Sequence, residues 1–295
     1  MTTGPLEGSI DRDGLRIHYL DWPGVGPLAA VLVHGGGQTA HTWDRVAARL
    51  APGIRCLAVD LRGHGDSSWS PGGRYALADH VADLGSAIDE LRLGAHVLVG
   101  TSLGASVALG LAATRPAALA GLVLVDGGPR VVERDGSARI RSLLREPSEA
   151  ATIDELVDQA LARNPRRRRA ELRRSIVHSV RMTDRGTWTW KHDPRAFRAH
   201  SAANGAAGRA RRQELLWAWV EEVTCPVLLV RGGASDVVLE ADVQALARRM
   251  PSAERATVPG AGHSVQGDRP AALARLLEQF IGRLATAAGA PRSPG

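Results

Sequence analysis

The residues best suited to nucleophilic chemistry in this sequence lie in the pentapeptide Gly100-Thr101-Ser102-Leu103-Gly104. The apolar run VLV precedes it and the small-residue run ASVALGLAA follows it, so the pattern predicts a buried strand, a tight turn and a helix. Such a turn lifts the serine hydroxyl clear of the sheet, and its glycines let the helix start close to the strand end. The alternative is a purely structural turn, since the pentapeptide pattern alone occurs by chance. Its context favours Ser102 as a nucleophile.

A serine hydroxyl is a weak nucleophile until a base takes its proton. His263 lies in the segment VPGAGHS, after the last predicted strand and before the last predicted helix. Loops at that end of a parallel strand open on the same sheet edge as Ser102. We therefore predict His263 as the general base, and the alternative is an ordinary histidine of a surface loop.

The imidazole in turn needs a carboxylate that fixes its tautomer and stabilises its protonated form. Asp236, in LLVRGGASDVV, follows the preceding strand, and the order serine, aspartate, histidine along the chain favours it. Its alternative role is a helix cap. Asp126, which ends the strand AGLVLVD, is the rival for the same position. We predict Asp236, with Asp126 as the second choice.

An acyl-transfer site also needs backbone N–H groups that stabilise the oxyanion. The segment His34-Gly35-Gly36-Gly37 follows an apolar strand, and its glycines allow a close approach to a substrate oxygen. We predict N–H donors at Gly36, with Gly37 as second choice, and at Leu103. The alternative is a flexible turn.

Short β-branched runs alternate with longer amphipathic segments, which indicates an α/β fold with an open, doubly wound, mostly parallel sheet. Strands are predicted at Leu15–Leu20, Leu28–Val33, Ile54–Asp60, His96–Gly100, Leu119–Asp126, Pro226–Arg231 and Glu254–Val258. Helices are predicted at His41–Leu50, Tyr75–Leu91, Ser102–Thr114, Val238–Arg248 and Pro270–Leu284.

The alternation stops after Asp126, and no convincing strand is predicted until the segment Thr224-Cys225-Pro226. Helical patterns lie in between, at Ser137–Arg145, Ile153–Arg163, Pro165–Arg181 and Arg211–Val220. We interpret this segment as an inserted helical cap. The predicted domains are residues 1–129 and 223–288 for the core, 130–222 for the cap, and 289–295 for a disordered tail.

The predicted cap is basic and rich in tryptophan. Residues 130–222 contain 20 basic and 13 acidic residues, including Arg166–Arg169, Arg173 and Arg174. These arginines are interpreted as a solvated helix face, and the alternative is attraction of an anionic substrate or an acyl carrier. Nucleic acid is disfavoured because aromatic residues do not alternate with the arginines. Trp188 and Trp190 alternate, so only one of the pair is expected to face the core. These two and Trp43 are candidates for substrate contacts.

Other features of the sequence narrow the function classes. The two cysteines, Cys56 and Cys225, lie in apolar strand patterns and are expected to be core residues. No basic, apolar leader and no stretch of about 20 apolar residues is present, so a cytoplasmic protein without membrane contact is expected. The sequence contains no pair of histidines at i, i+4 beside a carboxylate, so no metal site is predicted. The segment GGGQTAHT lacks the lysine of a phosphate-binding loop, so no nucleotide site is predicted. No cofactor is predicted, and the expected partner is a small-molecule substrate.

Taken in order, HGGG, VDLRGHGDS (residues 59–67), GTSLGA, RGGASD and GAGH resemble the α/β-hydrolase superfamily. The resemblance implies an eight-stranded, mostly parallel sheet with a cap inserted after the sixth strand. It implies a structural role for DLRGHGDS, which leaves His64 and Asp66 outside the mechanism. HGGG is similar to the lipase and esterase branch, whereas the cap position resembles the C–C-bond hydrolase and lactonase branch. Serine at the turn excludes close similarity to haloalkane dehalogenases and epoxide hydrolases.

The predicted function is hydrolysis of a carboxylic ester, lactone or thioester of a small molecule through a Ser-His-Asp triad and an acyl-enzyme. A second hypothesis keeps the triad for C–C bond hydrolysis, a lyase reaction or a cofactor-free oxygenation. A third is a small-molecule receptor without turnover. The sequence does not identify the substrate, because the fold does not determine it.

Overall fold

A computed structural model describes residues 4–129, 138, 140, 144–145, 148–163, 167–197 and 205–289. Eight strands form one sheet in the order β1-β2-β4-β3-β5-β6-β9-β10. They are β1 (Leu6–Arg12), β2 (Leu15–Trp22), β3 (Ala29–Val33), β4 (Cys56–Val59), β5 (His96–Thr101), β6 (Leu119–Val125), β9 (Val227–Gly232) and β10 (Glu254–Val258). From β4 to β10 every neighbouring pair is parallel. The predicted α/β fold and its mostly parallel sheet are confirmed.

The first strand, β1, is absent from the sequence-based prediction. It forms the edge of the sheet and pairs antiparallel with β2, and Ile10 is its buried residue. The other side chains of this strand are exposed or half-buried, so its sequence lacks the apolar run that identifies the inner strands.

Helices cover both faces of the sheet. The helices outside the segment between β6 and β9 are a 3₁₀ turn (Ala40–Trp43), α1 (Asp44–Leu50), α2 (Leu77–Glu90), α3 (Leu103–Thr114), α7 (Glu240–Arg249), α8 (Val265–Asp268) and α9 (Pro270–Gly289). One apolar cluster packs α2, α3 and α7 on one face, and a second packs α1, α8 and α9 on the other. The sheet is therefore doubly wound, as predicted.

Between β6 and β9 the structure describes α4 (Ile153–Arg163), α5 (Arg169–Ser179), β7 (Val180–Met182), β8 (Trp188–Trp190) and α6 (Gly205–Glu222). We call residues 130–222 the lid. The prediction of a lid without strands is wrong, because β7 and β8 form an antiparallel hairpin. Its short strands carry no long apolar run. The predicted helix Ser137–Arg145 lies mostly outside the described residues.

The last lid helix packs on the core of the protein. Leu216 and Val220 of α6 are buried in the same cluster as α3, and the ring of Trp219 lies against Gly110. A Cβ atom at Gly110 would come within 2.7 Å of that ring, so the small residue allows the close approach of the two helices. The boundaries of the lid as a separate domain stay a prediction.

A loop of the core holds the other side of the lid. Asp66 and Lys191 form an ion pair of 2.7 Å, and the Trp69 indole donates a hydrogen bond to the Lys191 carbonyl. The Tyr75 hydroxyl donates to the buried carboxylate of Asp193. These contacts fit the structural role expected for the loop that contains Asp66. None of the helices in the described part of the chain has the length and apolar character needed to cross a membrane.

Candidate active site

Ser102 lies at the turn between β5 and α3, in a backbone conformation that non-glycine residues rarely adopt. Its φ is 53° and its ψ is −113°, a strained combination that clusters at functional sites. The turn is held by hydrogen bonds: the Ser102 N–H donates to the Val125 carbonyl of β6 at 3.3 Å, and the Ser102 carbonyl accepts from Ala105 and Ser106 of α3. The predicted strand–turn–helix geometry at Ser102 is confirmed.

The two glycines of the pentapeptide are required by the same turn. A Cβ atom at Gly100 would overlap the Gly104 carbonyl, and one at Gly104 would overlap the Val33 carbonyl at the end of β3. The start of α3 therefore passes against the ends of β3 and β5, with no room for a side chain.

His263 lies at the same edge of the sheet, in the loop between β10 and α8, and its Nδ1 is 2.7 Å from Oδ2 of Asp126. Asp126 directly follows β6, the neighbour of β5, and its side chain is fully buried. Gly232 N–H donates to Oδ1 at 2.8 Å and the Ser235 hydroxyl donates to Oδ2 at 2.6 Å. The carboxylate thus has three donors around it, and the imidazole is one of them.

The prediction that Asp236 is the carboxylate partner of His263 is wrong in this structure. Asp236 is exposed, whereas the second choice, Asp126, makes the hydrogen bond. The physical reason lies in the chain after β9, where Ser235 turns its hydroxyl toward Asp126 and leaves Asp236 on the outside. One signal in the sequence supports Asp126, namely an aspartate that ends an apolar strand.

The glycine-rich loop after β3 lies beside Ser102. A Cβ atom at Gly35 would come within 3.2 Å of the Ser102 Cβ. The Gly35 carbonyl accepts from His34 Nδ1 at 2.8 Å, while His34 Nε2 accepts from the Leu61 N–H at 3.0 Å. Burial lowers the pKa of His34, so its ring is neutral and both nitrogens have fixed roles. The loop that carries Gly36 and Gly37 is thereby fixed next to the candidate nucleophile.

Two lid residues that the sequence analysis did not identify cover this loop. A Cβ atom at Gly36 would lie 3.1 Å from the Phe197 ring, and one at Gly37 would overlap the Leu144 side chain. The Phe197 ring also packs edge-on against His192, whose Nε2 is 3.1 Å from the Leu144 carbonyl. No sequence motif identifies Leu144 or Phe197 as site residues. They lie over the glycines because of the way the lid folds.

The three tryptophans predicted to contact substrate have other surroundings. Trp43 is fully buried in the core cluster of α1, so its predicted place in a substrate pocket is wrong. Trp188 and Trp190 both pack against the apolar cluster of α4 and α5. The expectation that one of the two faces away is also wrong, because side chains two residues apart in a strand share a face. Trp190 also borders an open surface pocket of about 390 Å³ beside Trp69.

The arginine-rich segment of the lid divides into exposed and buried members. Arg169 and Arg173 are exposed and pair with Asp154 and Asp158 of α4, which agrees with a solvated face. Arg167 differs, because its side chain is mostly buried and lies 3.2 Å from Asp268 of α8.

This pair connects the lid to the His263 loop. The other oxygen of Asp268 accepts from the Gly262 N–H at 2.8 Å. Gly262 directly precedes His263, so the ion pair of Arg167 and Asp268 supports the loop that carries the candidate base.

The described residues contain two groups of side chains with metal-binding potential. His18, Asp60 and Asp66 form one, but Asp60 already accepts hydrogen bonds from His18 Nδ1 and from the N–H groups of Ala40 and Asp66. His41, Asp44 and His178 form the other.

The chain is similar to known proteins in sequence and in fold. A model described as the alpha/beta hydrolase family matches residues 30–276. The chain is 36% identical over 284 residues to esterase Rv0045c of Mycobacterium tuberculosis, with 94% of this chain and 90% of the relative covered. It is 29% identical over 278 residues to 3-hydroxybutyrate-oligomer hydrolase of Cupriavidus necator, with 90% and 93% covered.

Solved structures show the same similarity. The crystal structure of E-2-(acetamidomethylene)succinate hydrolase matches with a TM-score of 0.81 at 25% identity, covering 94% of this chain and 99% of the other. The crystal structure of Rv0045c matches with a TM-score of 0.74 at 32% identity, covering 94% and 91%. These neighbours extend over the sheet and the lid segment alike.

Proposed function

The chain belongs to the alpha/beta hydrolase family, and on that premise we propose that it is a serine hydrolase of small carboxylic esters, thioesters or lactones. The observation that carries the proposal is the hydrogen bond between His263 and the buried Asp126, at the sheet edge where Ser102 occupies its strained turn. The nucleophile, the orienting carboxylate and the base follow β5, β6 and β10, whose ends lie at one edge of the sheet.

The tautomer of His263 follows from its partner. Asp126 accepts hydrogen bonds, so Nδ1 of His263 carries the proton and Nε2 presents a lone pair. In the proposed mechanism Nε2 takes the proton of the Ser102 hydroxyl as its oxygen attacks the substrate carbonyl. The imidazolium that forms beside Asp126 then protonates the leaving group, and water hydrolyses the acyl-enzyme by the reverse transfers.

The negative charge on the carbonyl oxygen needs N–H donors in fixed positions. We assign this role to Leu103, the first residue of α3, and to Gly36 of the loop fixed by His34. A helix N-terminus favours negative charge, and the rigid loop adds a donor that needs no reorganisation. Gly37 is the second choice for the loop donor.

The surroundings of the loop support an apolar acyl group as substrate. Leu144 and Phe197 of the lid lie over Gly36 and Gly37, so a group bound next to the oxyanion donors meets hydrocarbon and an aromatic ring. The names of two relatives, an esterase and a 3-hydroxybutyrate-oligomer hydrolase, support ester chemistry. We therefore propose short aliphatic acyl esters as the first class to test.

The test is an activity screen with p-nitrophenyl acetate, butyrate and octanoate, a lactone, a thioester and a β-diketone. Ser102→Ala should abolish turnover and labelling by a fluorophosphonate probe. Ser106→Ala, one helical turn further along α3 and buried, is the matched control and should retain both. Turnover of the diketone with negligible ester turnover would replace the ester proposal with C–C bond hydrolysis. A folded protein whose Ser102 reacts with no probe would refute the serine mechanism.

A further inference from the structure

Two histidines meet where the lid touches the core. His41 belongs to the 3₁₀ turn that follows the glycine-rich loop, and His178 lies near the end of lid helix α5. Their rings stack with centroids 3.7 Å apart and an angle of 21° between the planes. Asp44 lies next to them, with a carboxylate oxygen 3.1 Å from His41 Nδ1. The three side chains come from opposite sides of one contact.

This cluster brings potential metal-ligand atoms of three side chains together. One potential ligand atom from each residue lies within 4.8 Å of the other two. His41 Nδ1 faces the Asp44 carboxylate, so a metal ion bound at this nitrogen would displace its proton and replace this hydrogen bond. Within the described residues no hydrogen bond involves the His178 ring. All three residues are partly exposed, with 20% of the His41 side chain and 39% of the Asp44 side chain accessible, so an ion can reach them from solvent.

We propose that His41, Asp44 and His178 form a binding site for a divalent transition-metal ion that bridges the lid and the core. Two imidazoles and one carboxylate are a ligand set suited to Zn²⁺, Ni²⁺, Co²⁺ and Cu²⁺. Tetrahedral Zn²⁺ with ligand bonds of about 2.0–2.2 Å places its ligand atoms roughly 3.4 Å apart. Each imidazole binds a metal ion in the plane of its own ring, so the two rings have to rotate out of their stack while the three ligand atoms approach one another by up to about 1.4 Å. Water completes the coordination.

The position of the site between the lid and the core determines what a bound ion does. A second contact between the same elements, the ion pair of Arg45 and Glu171 at 3.3 Å, holds α1 against α5. A metal ion replaces the stacking of two rings with bonds that require both elements at once. The bound ion therefore opposes any separation of α5 from the core, and it does so in the turn that follows Gly37. The site could not be predicted from spacing along the sequence, because His178 is far along the chain from the other two residues.

The direct test is calorimetric titration of the full chain with ZnCl₂ and NiCl₂, together with melting temperatures with and without the ion. We expect one site per chain and a higher melting temperature in the presence of metal. His178→Phe retains a ring to stack on His41 but removes the ligand nitrogen, and it should weaken binding by about 10- to 100-fold or more. Asp44→Asn should also weaken it.

His96→Gln is the matched control, because His96 begins β5 at the opposite end of the strand from Ser102; it should bind the ion as the parent chain does. Unchanged affinity in His178→Phe, or no binding by the parent chain, overturns the site. Inhibition of ester turnover by zinc is a separate measurement, and it rests on the proposed function. Inhibition that persists in His178→Phe points to the imidazole of His263 and also counts against the bridging site.

Discussion

Replacing Asp126 by asparagine probes the candidate triad with almost no change in shape. The Gly232 N–H cannot rotate, so the asparagine oxygen has to accept that hydrogen bond in place of Oδ1. The new NH₂ group then faces Ser235 and His263. The Ser235 hydroxyl already accepts from the Val237 and Val238 N–H groups, and the imidazole can accept only at a deprotonated Nδ1. The proton of His263 therefore moves to Nε2, and the lone pair aimed at Ser102 is lost.

The size of the effect follows from the loss of the base. A wrong tautomer of this kind lowers kcat by about 10⁴, which corresponds to about 5.5 kcal/mol of transition-state stabilisation. Asp126→Asn should still fold, because the hydrogen bond from Gly232 is kept in its original sense and the shape of the side chain is almost unchanged. We expect its free energy of unfolding to fall by about 1–2 kcal/mol. Asp236→Asn, on an exposed side chain, should change kcat by no more than about twofold.

The assay is steady-state hydrolysis of the best p-nitrophenyl ester from the screen, with urea unfolding of each variant in the same buffer. Ser235→Ala is a useful companion, since it removes one donor to Asp126 but leaves the tautomer of His263 intact. It should lower kcat far less than Asp126→Asn does. A folded Asp236→Asn variant with the larger loss, or an Asp126→Asn variant that keeps more than a tenth of the activity, refutes the assignment of Asp126.

Three further changes test the lid, the glycine loop and the buried histidines. Arg167→Met leaves Asp268 without its ion-pair partner, so urea unfolding should show a loss of about 1–3 kcal/mol; an unchanged midpoint contradicts the buried pair. Gly37→Ala meets Leu144 at a φ of +72°, and it should lower stability by about 1–3 kcal/mol. Part of this loss should be recovered in the double variant with Leu144→Ala, and strict additivity excludes the contact. Burial lowers the pKa of His64 well below its ordinary value of 6.5, so the folded protein keeps this ring neutral while the unfolded chain protonates it below about pH 6.5. The contribution of the neutral His64 ring to the free energy of unfolding is therefore fully present above that pH and is lost on acidification, by up to about 1.4 kcal/mol per pH unit. His64→Gln should flatten the pH dependence of the free energy of unfolding between pH 7 and 5. Parallel curves for the variant and the parent chain contradict this role of His64.

The inner part of the sheet was predictable because burial on both faces leaves a strong sequence pattern. Strands such as β3 and β5 are continuous apolar runs, and the structure reproduces them within a residue or two at each end. The edge strand β1 buries Ile10 among exposed and half-buried neighbours, so the same signal is missing. In these inner strands one physical rule, burial, determines every position of the element.

The places of Ser102 and His263 at one edge of the sheet were predictable for a related reason, and the pairing of His263 with Asp126 was not. Ser102 and His263 each occupy a loop whose strand and helix are recognisable. Asp126 and Asp236 both follow strands that end at the same sheet edge, and spacing along the chain cannot separate them. The choice depends on which side chain turns inward, and that is decided by the Ser235 hydroxyl and the Gly232 N–H around Asp126. The periodicity of a sequence does not show which of two such side chains turns inward.

The lid residues that lie over the site were still less predictable from the sequence. Trp188 and Trp190 are candidates for substrate contacts by their residue type, yet they pack within the lid. Leu144 and Phe197 are ordinary apolar residues, yet they lie over Gly36 and Gly37. Residue type indicates what a side chain can do, whereas its position over the site depends on how several lid segments dock on the core.

Backbone strain gives an independent reason to treat Ser102 and Asp126 as parts of one site. Both have positive φ, 53° and 44°, although neither is glycine. Each follows the end of one of two adjacent parallel strands, and each N–H donates to the next strand, Ser102 to Val125 and Asp126 to Val230. A strained residue costs about 1–3 kcal/mol and persists only where its surroundings hold it. Here the same device turns the chain sharply at two neighbouring strand ends, which directs the Asp126 carboxylate toward His263 and places Ser102 at the start of α3. The fold thus accepts strain at the two positions where the proposed chemistry needs a side chain aimed away from the direction of its strand.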